Sequence, residues 1–376
     1  MNTIKVLLLC ILSYNVFGQI DTNHSKIAFE ADFRFRLEQD WNSKKSDGSF
    51  REDRSRMRYR ARVGLNYQIK QQYSFGLRIR TGNPIKQQDP QLTLGDGSDE
   101  FGTLAVGFEK AYFKYENKSY ELWLGKNSFP FEKNNELFWS DNVFPEGAFL
   151  KKKFAFENSF IDNFNISAGH FIINSMGASF DKDSYFSGAQ ISCSLKNERI
   201  FLFPSFYLFN NISNIPDGNG TFKLNYAIIH LGTRIQVSKA PLFVEFDFYS
   251  NLEDYSSNDS ISNTLSDQTS GFVSAISYGK LNTRGDWNFK LTHAYLQQFS
   301  AVDFLAQNDW ARWDYSSFGS PDGRLTNLQG IEVVASYLLE KNIKLTTKFY
   351  QVEQLIKNGV EEENGSRIRF DVDIKF

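Results

Sequence analysis

From Arg56 to Ile69 the chain reads R-M-R-Y-R-A-R-V-G-L-N-Y-Q-I. Met57, Tyr59, Ala61, Val63, Leu65, Tyr67 and Ile69 share one parity; Arg56, Arg58, Arg60, Arg62, Gly64, Asn66 and Gln68 share the other. Successive side chains of a strand point to opposite faces, so this segment has one greasy face and one face bearing four guanidinium groups. A soluble sandwich can use such a strand once. A chain that repeats it many times needs an apolar medium on one side and water on the other.

The pattern does repeat. Phe29, Ala31, Phe33, Phe35 and Leu37 alternate with Glu30, Asp32, Arg34, Arg36 and Glu38, and Tyr73, Phe75, Leu77 and Ile79 alternate with Ser74, Gly76, Arg78 and Arg80. Further strands are expected near 108–115, 120–125, 150–156, 164–173, 185–195, 200–209, 222–237, 242–249, 271–280, 287–297, 328–339 and 343–350. The chain closes on R-I-R-F-D-V-D-I-K-F, where Ile368, Phe370, Val372, Ile374 and Phe376 oppose Arg367, Arg369, Asp371, Asp373 and Lys375. Short turns such as Lys70–Gln72 alternate with long polar or Gly-rich connections. That rhythm over about 16 strands predicts an all-β fold, a transmembrane antiparallel β-barrel with short periplasmic turns and long extracellular loops. Aromatic pairs bracket three of the short turns (Tyr67 and Tyr73, Tyr115 and Tyr120, Tyr278 and Trp287), as side chains at a membrane–water interface do. The segment near 200–209 departs from the rule: Leu202, Phe203, Phe206, Tyr207, Leu208 and Phe209 grease both faces, and Pro204 removes a ladder donor. A bulge or a subunit contact is expected there.

The N-terminus, with Lys5 before the apolar run Val6–Val16 and Gly18 near its end, reads as a secretory signal over residues 1–18, leaving 19–376 as the barrel. Losing Lys5 leaves 41 basic and 44 acidic residues, a balance that argues against a nucleic-acid partner. Cys193 is then the only cysteine, so neither an intramolecular disulfide nor a thiolate metal cluster is expected. Mean hydropathy is −0.42, and no long apolar run follows the signal. A closed barrel nevertheless satisfies every backbone group inside a membrane.

The R-x-R-x-R-x-R-V-G-L strand, the G-L-R-I-R-T-G segment at Gly76–Gly82 and the Phe-terminated last strand resemble the outer-membrane putative porin families of Gram-negative bacteria, particularly the Bacteroidota type. The pattern is also similar to phosphate-selective porins and alginate exporters. The resemblance implies passive diffusion of small hydrophilic solutes, with outer-membrane lipid and the barrel-assembly machinery as partners and a homotrimer by analogy. The runner-up is a specific oligosaccharide or polyanion channel, and behind it a barrel enzyme or structural surface protein.

If the barrel closes, the last strand lies beside the first. Arg367 and Arg369, Arg34 and Arg36, Arg58, Arg60 and Arg62, then Arg78 and Arg80 would stand as four adjacent rows facing the lumen, because cations facing lipid at mid-depth cost about 2–4 kcal/mol each. Such a basic wall favours anions; alternatively the arginines only pair with Glu30, Asp32, Glu38, Asp371 and Asp373. The connection from about Lys126 to Leu150 is a candidate for an inward loop. It carries Glu132, Glu136, Asp141 and Glu146 among Phe129, Phe131, Phe138, Trp139 and Phe144. Its acids would face the arginines across an eyelet, and its aromatics would anchor the loop or stack on sugar rings; an ordinary extracellular loop is the other reading. The stretch Trp310–Tyr315 is expected to pack among its neighbours, and Asp96–Glu100 to form an acidic turn. No catalytic, phosphate-binding or metal motif is present, so no cofactor, no metal and no enzyme activity are expected.

Overall fold

The computed structural model describes residues 26–376 apart from 86–87, 89, 96–100, 157–159, 178, 215–221, 311–324 and 358. The signal segment, the Asp96–Glu100 turn and residues 311–315 of the second aromatic loop therefore lie outside the described residues.

In chain order the strands are β1 (Lys26–Lys44), β2 (Arg54–Ile69), β3 (Tyr73–Thr81), β4 (Leu92–Thr93), β5 (Val106–Glu116), β6 (Tyr120–Lys126), β7 (Glu146–Ala155), β8 (Ile161–Asn174) and β9 (Ser184–Leu195). They continue as β10 (Ile200–Leu202), β11 (Ser205–Ser213), β12 (Lys223–Gln236), β13 (Leu242–Asn251), β14 (Ser270–Gly279), β15 (Trp287–Leu296), β16 (Leu328–Glu340), β17 (Ile343–Gln354) and β18 (Asn364–Lys375). β4 is a two-residue ribbon laid against Arg58–Tyr59 of β2, and β10 and β11 are two pieces of one wall strand. The wall thus has 16 antiparallel strands, and it closes because β1 pairs with both β2 and β18. Closure leaves no open edge around the ring, which is what lets a sheet cross lipid.

One strand settles which face is outside. On β18, Ile368 and Phe370 are 40% and 38% exposed, whereas Arg367 and Arg369 are 5% and 2% exposed. The greasy parity therefore faces out and the arginines face in. The same holds for exposed Phe29, Met57, Val63, Phe113, Leu124 and Val333. At the short-turn end the outward aromatics cluster: Tyr73 packs on Tyr115 with ring centroids 5.1 Å apart, and Trp287 on Tyr337 at 4.8 Å. The tightness of the β2–β3 turn is visible at Lys70 and Gln71, both left-handed at φ 48° and 52°, as a primed hairpin turn demands.

The structure extends several expected strands at their long-loop ends: the first runs on to Lys44, and the 150–156 strand begins at Glu146. The strand near 200–209 is broken at Phe203-Pro204. There Phe203 N–H donates to the Gly232 carbonyl at 2.9 Å and the Pro204 carbonyl accepts from Ile191 N–H at 3.0 Å, so the ladder resumes after one irregular step. The Phe203 ring lies over Gly232, where a Cβ would stand 2.0 Å from a ring carbon; only glycine fits there.

The largest cluster of buried apolar side chains lies inside the ring of strands. It joins inward aromatics of the wall, such as Phe149, Phe171, Phe186, Tyr207 and Tyr249, to loop residues Phe131, Phe138, Trp139, Tyr255, Val302 and Trp310. Three long connections, 127–145, 252–269 and 297–310, contribute to it. This explains the two-sided grease of β11. Phe206 and Leu208 face out, while Tyr207 packs on the loop rings Phe129, Phe131 and Phe138, and Phe209 is buried against its wall neighbours Phe186 and Tyr226.

Candidate functional site

The site grows from the seam of the barrel. Register places Arg36 between Asp371 and Arg58, Arg34 between Asp373 and Arg60, and Arg62 between Asp32 and Arg80. Like charges directly opposite on neighbouring strands repel, and the acids interleaved with them answer that repulsion. Arg36 makes a bidentate pair with Asp371 at 2.6 and 2.8 Å, and Arg34 bonds Asp373 at 2.6 Å. Asp32 accepts from Arg60 at 3.0 Å and from Arg62 at 2.7 Å. Glu38, buried, takes Arg369 at 2.9 Å and also Arg56. Asp40, which sequence reasoning did not single out, binds Arg367 and Arg54, the latter at 2.8 Å.

Six of these residues, Arg34, Arg36, Arg58, Arg60, Arg62 and Arg369, converge on one cavity of about 300 Å³. Lys344 and Lys348 of β17 join them, making eight cationic side chains against the five acids Glu136, Asp141, Asp309, Asp371 and Asp373. The other three expected arginines stand elsewhere on the inner wall. Arg78 is paired with Glu109 at 2.6 Å, Arg80 donates to the carbonyls of Thr81 and Asn83 beside a second cavity, and Arg367 is held by Asp40.

The connection 127–145 enters the barrel, seated by a stack of rings. Phe129 lies on Trp139 at 4.5 Å, Phe131 meets Phe149 edge-on, and Phe138 lies parallel to Tyr249 at 5.1 Å and 4°. Gly188 of β9 makes the space: a Cβ there would lie 2.7 Å from the Phe131 ring. Asp247 of β13 fixes the loop's polar edge. It accepts from Asn134 at 3.1 Å and Asn135 at 2.8 Å, and its other oxygen contacts His230 Nε2 at 2.9 Å. His230, Asp247 and the aromatic bed carried no motif; their signal was apolar or unusual side chains on the lumen parity of β8 to β13.

The structure brings Glu136 and Asp141 to the cavity, opposite the arginines, and leaves the other two expected acids away from it. Glu132 is turned toward Lys151 at 3.9 Å, and Glu146 is the first residue of β7, paired with Lys126. Burial pushes the Glu136 carboxyl above its ordinary range, and the nearby Asp141 carboxylate adds to the rise. The loop aromatics are packed, with Phe131, Phe138, Trp139 and Phe144 each no more than 4% exposed. They act as anchors and offer no open platform for a sugar ring. Trp310 is likewise buried, against Tyr350. Among the described residues no group of His, Cys, Asp and Glu is arranged to hold a metal ion.

The family model described as "Putative porin" matches residues 38–225, half of the chain. No curated protein matches the sequence. Solved structures share the architecture at low identity. OprB of Pseudomonas putida aligns with a TM-score of 0.55 and 13% identity, over 93% of this chain and 94% of that one. The outer membrane channel DcaP of Acinetobacter baumannii aligns at 0.52 and 13%, over 95% and 99%. OmpT of Vibrio cholerae, solved in a trimer form, aligns at 0.53 and 9%, over 94% and 100%.

Proposed function

The chain belongs to the Putative porin family and forms an outer-membrane, multi-pass channel barrel, and from that premise we propose that it passes small hydrophilic solutes by diffusion with a bias toward anions. The observation that carries the bias is the excess of cationic side chains on one cavity, where six arginines and two lysines face five acids. Three acids outside that lining pair with the same cations, Asp32 with Arg60 and Arg62, Glu38 with Arg369 and Glu332 with Lys348, so the surplus belongs to the cavity's surface and not to the whole wall. A surplus of fixed positive charge in a narrow, partly dry passage raises the local anion concentration and repels cations. The aromatic bed supports an off-centre path: loops fill the β7–β13 side, so the wettable lumen lies along β17, β18, β1 and β2.

The test is the reversal potential of single channels in a planar bilayer under a salt gradient. Native protein should show anion preference, weakening as added salt screens exposed charge. Changing Arg58, Arg60 and Arg62 to Glu should move it toward cations; unchanged selectivity would sink the basic-wall reading. Protein that inserts and never conducts would sink passage itself. Nothing in the site's chemistry favours a catalytic role over conduction. Assembly as a homotrimer, after the trimer form of the Vibrio relative, is read by analogy, and cross-linking of the native protein in its membrane tests it.

A further inference from the structure

The sequence gives no sign that the connection between β15 and β16 enters the lumen, yet its stretch 297–310 lies there and is almost wholly buried. Ser300, Ala301, Val302, Ala306 and Trp310 are each no more than 1% exposed. Backbone hydrogen bonds knit it to the first inward loop: Ser140 N–H donates to the Leu305 carbonyl at 2.8 Å, and Gln307 N–H to the Glu136 carbonyl at 3.0 Å. The second of these bonds falls on an acid that lines the cavity. Two residues further on, the chain reaches the opposite wall. The Asp309 carboxylate is ion-paired with Arg369 of β18 and accepts from the Tyr350 hydroxyl of β17 at 3.4 Å, and the Asp309 carbonyl accepts from Arg367 at 3.4 Å. One short segment therefore bridges the acidic loop and the basic wall.

We propose that the 297–310 connection is the second half of the eyelet, and that Asp309 is a selectivity-setting residue that clamps this loop to the last strand through Arg369. This rests on the channel reading and goes beyond the arginine wall and the first loop, because it names the group that mutes the wall from within. Arg369 has two acidic partners, Glu38 behind it in the wall and Asp309 in front. Glu38 is buried in the sheet, whereas Asp309 lines the cavity. Removing the Asp309 charge exposes a guanidinium to the passage while leaving the wall's own pairing intact. Burial pushes the Asp309 carboxyl up, but Arg369, Arg36 and Lys348 outweigh it and hold the group well below the ordinary carboxylate range, so it stays ionised at working pH.

The experiment uses the full chain in planar bilayers, with Asp309→Asn, Asp309→Glu, and Asp309→Cys in a Cys10→Ser, Cys193→Ser background. Asp309→Asn should raise the anion-to-cation permeability ratio roughly two- to fivefold, the scale of one partly screened charge. Asp309→Glu should stay near native. Negatively charged methanethiosulfonate on the cysteine variant should return the ratio toward native, and a positively charged reagent should drive it further toward anions. Those results support the clamp, and the reagent arm still decides if the Asn variant fails to insert. No shift with Asn, together with no response of current or ratio to either reagent, overturns it. If that happens while the triple Arg→Glu variant still moves toward cations, the second-loop proposal alone has failed. If the triple variant is also unmoved, the basic-wall reading falls with it.

Discussion

Truncating Phe138 to alanine separates the loop's seat from the barrel's strength. The ring is 3% exposed, lies parallel to Tyr249 at 5.1 Å, and stacks on Tyr207 at 4.9 Å. Its neighbours are wall side chains held by continuous ladders; β12 and β13 alone pair from Ile228 and Asn251 to Gln236 and Phe243. Loss of a buried phenyl ring costs about 3–5 kcal/mol in lost transfer and cavity terms. The wall can collapse little around the hole, so the deficit falls on the loop. That corresponds to roughly a hundred- to several-thousand-fold change in the ratio of seated to lifted loop, since each 1.4 kcal/mol is about tenfold. Glu136 and Asp141 flank Phe138 in sequence, so a lifted loop takes both acids away from the arginines. Single-channel recording should show larger unitary current, flicker between levels and a stronger anion preference. Phe246→Ala, on the lipid-facing parity of β13, is the control and should leave conduction unchanged. Native current and quiet traces from Phe138→Ala protein that has measurably lost thermal stability would refute the reasoning, because the deficit would then have gone into the wall.

Two further outcomes follow from charge. Glu136 has a raised carboxyl, so it takes up a proton above the usual glutamate range as pH falls, while Asp309 stays ionised; anion preference should therefore step up on acidification, and Glu136→Gln should remove that step from a pH series of reversal potentials. The sign for stability is the same: a carboxyl raised in the folded state favours folding at low pH and loses that contribution as pH rises through its folded value. At the seam, Asp371→Ala leaves Arg36, 5% exposed, without its bidentate partner; stranding a buried charge costs about 3–5 kcal/mol, with lumen water placing this case at the low end. Urea midpoints in detergent should fall accordingly, and the Arg36→Met, Asp371→Leu double variant should recover most of the loss; an undiminished midpoint for Asp371→Ala would mean that Asp373 or water replaces it.

Much of the wall was legible because a strand has a period of two and lipid tolerates few charges. The parity of Arg56–Arg62 and of Arg367–Arg369 assigned the inner face, and closure made their strands neighbours. Asp32, Asp371 and Asp373 were readable as partners for the same reason. Asp40 was not, because the first strand continues past Glu38 through Gln39, Asp40, Trp41 and Asn42, where alternation weakens. The aromatic bed was misleading on its face. Tyr207 and Phe209 broke the rule that lumen-facing side chains are polar, and the rule fails wherever a loop, and not water, covers the inner wall. Such a violation, next to a long aromatic connection, is itself the signal for where that connection docks. Glu132 and Glu146 could not be separated from Glu136 and Asp141 by composition, since only the loop's path decides which acids reach the cavity beside the arginines. The 297–310 connection carries few charges and no motif, and its place depends on two backbone bonds, from Gln307 to Glu136 and from Ser140 to Leu305, that no side-chain pattern encodes.

The dry half and the wet half of the barrel depend on each other. The arginine rows repel across β1 and β2, at Arg34 with Arg60 and at Arg36 with Arg58, and interleaved acids relieve only part of that repulsion. A wide water-filled lumen would screen the remainder, and the wall would then exert little influence on a passing ion beyond about 8–10 Å, the Debye length near physiological salt. Packing rings against β7–β13 moves the free space onto the charged wall, within reach of its field, and the acids carried on the two loops are delivered there by the same packing. In the proposed channel, the grease of the chain is thus what makes its charges effective. A variant that loosens the aromatic bed should start from a stronger anion preference at low salt, since its acids have left, and lose it over a smaller rise in salt than one that removes a single arginine, because it widens the distance over which every remaining charge must act.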